Sequence, residues 1–156
     1  MKRSKAVKVL LIFLPLVIGL LSSMISGEAM KIYEDINRPP LSPPSMLFPI
    51  VWTILYLLMG IASAIIYSQE DNSDNRALGL VFHFVQLIFN FFWSIIFFNL
   101  RNYILALLFL ILLWLTVFSM IMNYKKVNRA ASIMNIPYLA WLTFAGYLNL
   151  MIFVLN

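Results

Sequence analysis

The chain of 156 residues predicts an all-α integral membrane protein, a five-helix transmembrane bundle, on three observations. It is 63% hydrophobic and 11% charged, with a mean hydropathy of +0.92, far from the soluble average. Its apolar residues fall into five runs of roughly 20 residues, the length that crosses a bilayer. Its charges lie between those runs or at their ends. Length favours one domain over residues 1–156. Zero cysteines exclude disulfides and thiolate metal sites, and a lone His83 argues against a histidine-built one, so no metal is expected. The net charge of +5 would suggest nucleic acid in a soluble protein. Here the basic residues cluster where membrane orientation needs them, so no nucleic acid is expected as a partner.

The first span, residues 7–26, follows Lys2, Arg3, Lys5 and Lys8, a pattern shared with signal peptides. Its near-full bilayer length and the lack of a small-x-small cleavage site around Ser26-Gly27-Glu28 identify it as a retained helix. Pro15 and Gly19 are tolerable there, because neighbouring helices can satisfy freed backbone groups. Residues 27–45 form the longest polar connection, and five of the seven prolines lie between 39 and 49. Proline fixes φ, removes a donor and pushes its predecessor out of the α region, so Arg38 to Pro44 should be extended. Ser42 or Ser45 is the expected cap of the following helix.

The second span, 46–67, repeats Trp52, Tyr56, Gly60, Ser63 and Tyr67 along one side, a face both aromatic and small. The loop Gln69–Arg76 is acidic. The third span, 77–99, carries His83, Gln86, Asn90 and Ser94 on one stripe. Polar groups in hydrocarbon are costly unless paired, so the stripe faces helices or a cavity. Inter-helix hydrogen bonding and ligand lining both remain open for it. Phe89, Phe91, Phe92, Trp93, Phe97 and Phe98 surround the stripe, and most read as packing or lipid-facing. After the Asn99–Asn102 turn, the fourth span, 103–123, is the most uniformly apolar and reads as structural. A basic loop follows, and the fifth span, 130–155, brings Tyr138, Trp141, Ala145 and Asn149 to one face. With the amino terminus inside, eight basic residues fall inside and three outside, which selects a cytoplasmic N-terminus and an external C-terminus.

Four motifs occur in order: Tyr33-x4-Arg38-Pro39-x3-Pro43-Pro44; Pro49-x2-Trp52-x3-Tyr56; Gln86-Leu87-x2-Asn90-x2-Trp93-Ser94-x2-Phe97-Phe98; and Pro137-Tyr138-Leu139-Ala140-Trp141-x2-Phe144-Ala145-x2-Leu148-Asn149. Together they resemble the TspO/MBR family, the tryptophan-rich sensory proteins of bacteria and the translocator (peripheral benzodiazepine receptor) proteins of mitochondria. The resemblance implies a multi-pass protein of the bacterial cell membrane, a homodimer, with a pocket for porphyrins and other flat apolar molecules beneath the first loop. It implies Tyr33, Pro44, Asn90 and Ala145 as ligand-binding positions, and Trp52 and Trp141 as the indoles linked to light-dependent porphyrin degradation. Trp52 and Trp141 also each follow a proline closely, Pro49 and Pro137, where a helix discontinuity can open a cavity. Trp93 stands among the ligand-binding candidates, with packing as its alternative. The chain departs from the family pattern at Ile32 and Leu41, where aromatics are usual, and at Arg38, where lysine is usual.

On this reading Trp52, Tyr56, Tyr138 and Trp141 offer flat faces to a macrocycle, while Gln86, Asn90 and Asn149 hydrogen-bond its polar edge. The expected function is a tetrapyrrole receptor or sensor binding a protoporphyrin IX-like ligand, with the lipid bilayer as its surroundings and no obligatory cofactor. Two alternatives stand beside it, a light-dependent porphyrin-degrading enzyme and a transporter of porphyrins or sterol-like ligands. No carboxylate pair lies in a span, so an enzyme would lack a conventional catalytic constellation. The absence of an inverted repeat and of intramembrane charge argues against a secondary transporter.

Overall fold

The computed structural model describes residues 4–70 and 73–156, so Lys2 and Arg3 of the basic lead-in, and Asp71 and Asn72 of the acidic loop, lie outside the described residues. The described residues form α1 (Lys5–Ser26), α2 (Ala29–Asp35), α3 (Leu47–Ser68), α4 (Asp74–Phe98), α5 (Tyr103–Val127), α6 (Arg129–Met134) and α7 (Ile136–Leu155), with no strand among them. The helices α1, α3, α4, α5 and the α6–α7 pair are long and apolar enough to cross a membrane. The protein is a multi-pass integral membrane helical bundle.

The helix ends follow from local chemistry. Ser73 begins α4 by accepting from the Arg76 N–H, and Asn102 Oδ1 begins α5 by accepting from the Leu105 N–H at 3.1 Å. Asn128 does the same for α6, accepting from the Ala131 N–H at 3.0 Å. At Asn135 the last span breaks into α6 and α7, because Pro137 in the first turn of α7 has no N–H to extend the α6 ladder.

One element is additional to the sequence reading, and one local expectation needs correcting. The connection 27–45 contains a helix, α2, which packs on α4 and buries Tyr33. Neither Ser42 nor Ser45 caps α3: Met46 holds that position without a side-chain bond. The proline segment diverts both serines. Ser42 Oγ donates back to the Pro39 carbonyl at 2.7 Å, closing a turn, and Ser45 Oγ donates to Glu34 of α2.

α4 packs most extensively on α5, and α1 on α3, whereas α3 and α7 barely touch. Small residues set the close approaches. A Cβ on Gly60 would stand 2.3 Å from the Ile12 carbonyl oxygen, and one on Gly19 would stand 2.2 Å from the Tyr56 ring. Met59, Ala62, Leu113, Val117, Met120 and Tyr124 fill the centre with no exposed surface. Leu20, Val81, Ile88, Leu108 and Val154 stay exposed on the outside, as a lipid-facing surface requires. The polar stripe of α4 turns inward: His83 and Gln86 are fully buried, Asn90 nearly so, and Ser94 Oγ lies 2.8 Å from Ser26 Oγ on α1.

Candidate functional site

Above the Gly19–Tyr56 contact between α1 and α3, a cavity of about 500 Å³ opens among α1, α3, α4 and α7, with α2 above it. Its size falls within the ~300–1,000 Å³ typical of small-molecule sites. Trp52 is the hub of its wall. The indole stacks on Tyr56, with centroids 5.4 Å apart and planes inclined by 29°, and lies 6.5 Å from Trp93 and 6.0 Å from Tyr138. Trp93 continues the wall to Phe97 at 5.5 Å. Tyr33 and Phe48, edge to face at 4.9 Å, form the upper wall. Among the described residues, no Asp, Glu, Lys, Arg or His lines the cavity.

The polar groups of the lining are held by named partners. The Tyr56 hydroxyl donates to Asn90 Oδ1 at 3.1 Å, Asn90 Nδ2 donates to the Tyr138 oxygen at 2.9 Å, and the Tyr138 hydroxyl donates to Gln86 Oε1 at 2.8 Å. Asn149 Oδ1 accepts from Trp93 Nε1 at 3.1 Å, and its Nδ2 donates to the Tyr103 carbonyl at 2.8 Å. Deeper in the bundle, Ser63 Oγ lies 2.9 Å from both His83 Nδ1 and the Tyr124 hydroxyl. The stripe of α4 therefore makes inter-helix hydrogen bonds along its length and contributes Asn90 and Ser94 to the cavity.

Seven of the sequence-predicted site residues line this cavity together: Tyr33, Trp52, Tyr56, Asn90, Trp93, Ala145 and Asn149. Four lie elsewhere. Gln86 and Tyr138 sit beneath Asn90, linked to it by the hydrogen bonds above. Pro44 belongs to the loop overhead, whose Pro43 carbonyl accepts from the Tyr33 hydroxyl at 3.1 Å. Trp141 borders a separate apolar groove on the outer face between α3 and α7, with Pro137, Ala140 and Phe144. The Phe48 ring, 5.8 Å from the indole, touches both this tryptophan and the cavity, and Trp141 Nε1 is buried without a hydrogen-bond partner among the described residues.

The first span contributes residues that sequence reasoning did not select: Gly19, Ser22, Ser23 and Ser26 all line the cavity. Ser22 Oγ donates to the Phe91 carbonyl at 3.3 Å. The signal was present in the recurrence of small residues at 19, 22, 23 and 26, the helical spacing that places them on one face. Leu41 and Ile32, the two departures from the usual aromatics, do not line the cavity, and Leu41 is 82% exposed with a φ of 68°.

The fold and site together define a polytopic membrane helical bundle that encloses an aromatic cavity under an interhelical loop. The TspO/MBR family profile matches residues 11–155. The chain is 36% identical to the tryptophan-rich protein TspO of Chlorobaculum tepidum, over 80% of this chain and 78% of the relative. Identity to protein CrtK of Rhodobacter capsulatus is 37%, with the same two coverages. Identity to the translocator protein of Bos taurus is 34%, over 79% of this chain and 73% of the relative. The chain belongs to the TspO/MBR family of membrane sensor and translocator proteins.

Proposed function

We propose that this protein is a membrane receptor for tetrapyrroles, holding a flat macrocycle against Trp52 in the cavity. The observation that carries the reading is the lining itself: aromatic faces from Trp52, Tyr56 and Trp93, amides from Asn90 and Asn149, and, among the described residues, no charged side chain. Such a wall suits a large π-system whose polar groups are few and localised. Titrating protoporphyrin IX into the purified protein, followed by quenching of tryptophan fluorescence, tests it. Saturable quenching that weakens on the order of tenfold in Trp52→Ala, equivalent to ~1.4 kcal/mol, is expected. Quenching that does not saturate, or is indifferent to Trp52→Ala, overturns the reading.

A second reading, light-driven oxidation of the bound pigment, is favoured by Trp52 touching three other aromatic rings at the cavity wall. A Trp52→Phe variant that still binds protoporphyrin but no longer bleaches it under light would support it. The proposed topology keeps the N-terminus cytoplasmic, on the positive-inside rule. A reporter fused after Asn156 should be active on the external side, and cytoplasmic activity would reverse the orientation. A second copy of the chain is the protein partner that family resemblance implies.

A further inference from the structure

We propose that the cavity is loaded sideways from the hydrocarbon of the bilayer, through a portal between α1 and α3, and not through the loop above it. The proposal rests on the tetrapyrrole reading for the identity of the ligand, but its geometry stands apart from that reading. Exposure of the cavity lining is confined to one side. The exposed lining residues are Leu20, Ser23, Gly27, Met30, Pro49 and Thr53, all on α1, its junction with α2, the start of α2 or the first turns of α3. None of the lining residues on α4 or α7 is exposed.

The opening runs from the helix ends down to membrane depth. Leu20 is six residues from the end of α1 and Thr53 six residues from the start of α3, and these two ends share one end of the bundle. At 1.5 Å per residue both stand about 9 Å inside. Each helix has 22 residues and so spans about 33 Å, close to the ~30 Å hydrocarbon thickness, which places Leu20 and Thr53 below the headgroups. The portal has a fixed lower edge, because the Gly19–Tyr56 and Gly60–Ile12 approaches hold the two helices together beneath it.

The loop above the cavity is tied down from several directions. Tyr33 and Glu34 of α2 bond to the segment before α3, through Pro43 and Ser45. Asn37 and Asn156 exchange hydrogen bonds, with the Asn37 N–H on Asn156 Oδ1 at 3.0 Å and Asn156 Nδ2 on the Asn37 carbonyl at 3.0 Å. The Tyr147 hydroxyl reaches the Pro40 carbonyl at 2.9 Å. A molecule already dissolved in the bilayer would need to break none of these.

The chain has no cysteine, so introduced thiols are unique reporters. In proteoliposomes, Leu20→Cys carrying a bulky methanethiosulfonate adduct obstructs the portal. Asn37→Cys/Asn156→Cys joined by a short reducible cross-linker locks the roof. Binding and release of protoporphyrin IX are followed by tryptophan quenching on the same sample before and after reductant, so a folding defect cannot mimic obstruction. The portal adduct should slow association and dissociation together on the order of tenfold, as a barrier raised by about 1.4 kcal/mol does, with reductant restoring both. The locked roof should leave both rates unchanged. Rates that ignore the adduct, an adduct that alters affinity in place of both rates, or rates that fall when the roof is locked overturn the lateral route. Absence of quenching in the wild type would remove the tetrapyrrole reading alone. The portal is then decided by a spin label at Thr53→Cys, relaxed by oxygen if it faces hydrocarbon, whereas relaxation by a water-soluble nickel chelate overturns the proposal.

Discussion

Replacing Gly60 by alanine tests how α1 is held against α3, the contact that shapes the floor of the cavity. The added Cβ would stand 2.3 Å from the Ile12 carbonyl oxygen and 2.9 Å from both the Ile12 carbonyl carbon and Cα. Ordinary contact begins near 3.4 Å. All three obstructing atoms are helix backbone, which cannot rotate aside as a side chain would, so α1 has to retreat by about an ångström. Overpacking of this kind costs about 1–3 kcal/mol. Gly146→Ala is the matched control, because its nearest non-local neighbour, Leu110 Cδ2, would be 4.0 Å away. Both substitutions gain the same helix propensity from alanine, so the difference between them isolates the clash. At roughly 2–4 °C per kcal/mol for a chain of this size, Gly60→Ala should melt about 2–12 °C below Gly146→Ala in the same detergent. Equal melting temperatures would refute the Gly60–Ile12 contact as the clamp between α1 and α3.

Asn90→Leu strands the Tyr56 hydroxyl and removes one of two partners from Tyr138, so it should lower stability by about 1–3 kcal/mol and weaken protoporphyrin binding. Unchanged melting and affinity would show the amide to be dispensable. Trp93→Phe loses the bond to Asn149, whereas Trp141→Phe loses none, so thermal melting should show the first to be more destabilised by about 1 kcal/mol. Equal losses would count against the pairing of Trp93 with Asn149. Leu41→Trp puts an aromatic at an exposed site that does not line the cavity, so fluorescence titration should give an unchanged affinity. A clear gain would mean that the loop reaches the ligand.

The five membrane helices were legible because each apolar run must satisfy its own backbone in lipid, and that demand is written in composition and length. The inward stripe of α4 was legible for the same reason: His83, Gln86 and Asn90 had to find partners inside. The helix α2 was not, since Ala29–Asp35 is short and polar and depends on Tyr33 docking beneath the loop. The different placements of Trp141 and Trp93 could not be read from the sequence either. Pro137 marks a break in the last span, but a break does not say which side opens. Because α3 and α7 scarcely touch, the space beside Trp141 is an outer groove, while Trp93 reaches inward from α4 to the Trp52 wall.

The hydrogen-bond inventory of the cavity narrows what a ligand can meet there. A tyrosine hydroxyl has one proton to donate, and those of Tyr56 and Tyr138 are committed to Asn90 and Gln86. On α1, Ser22 is bonded to the Phe91 carbonyl and Ser26 is paired with Ser94. An amide side chain carries two N–H donors and two acceptor lone pairs. Asn90 spends one donor on Tyr138 and one acceptor site on Tyr56, and Asn149 spends one donor on Tyr103 and one acceptor site on Trp93. Each therefore keeps one donor and one acceptor. Two such amides orient a molecule by its polar points without recognising a full charge, which the lining has no cation or anion to balance. Discrimination then rests on shape and on the flat faces gathered around Trp52, and a ligand's ionised groups must stay outside, towards the loop.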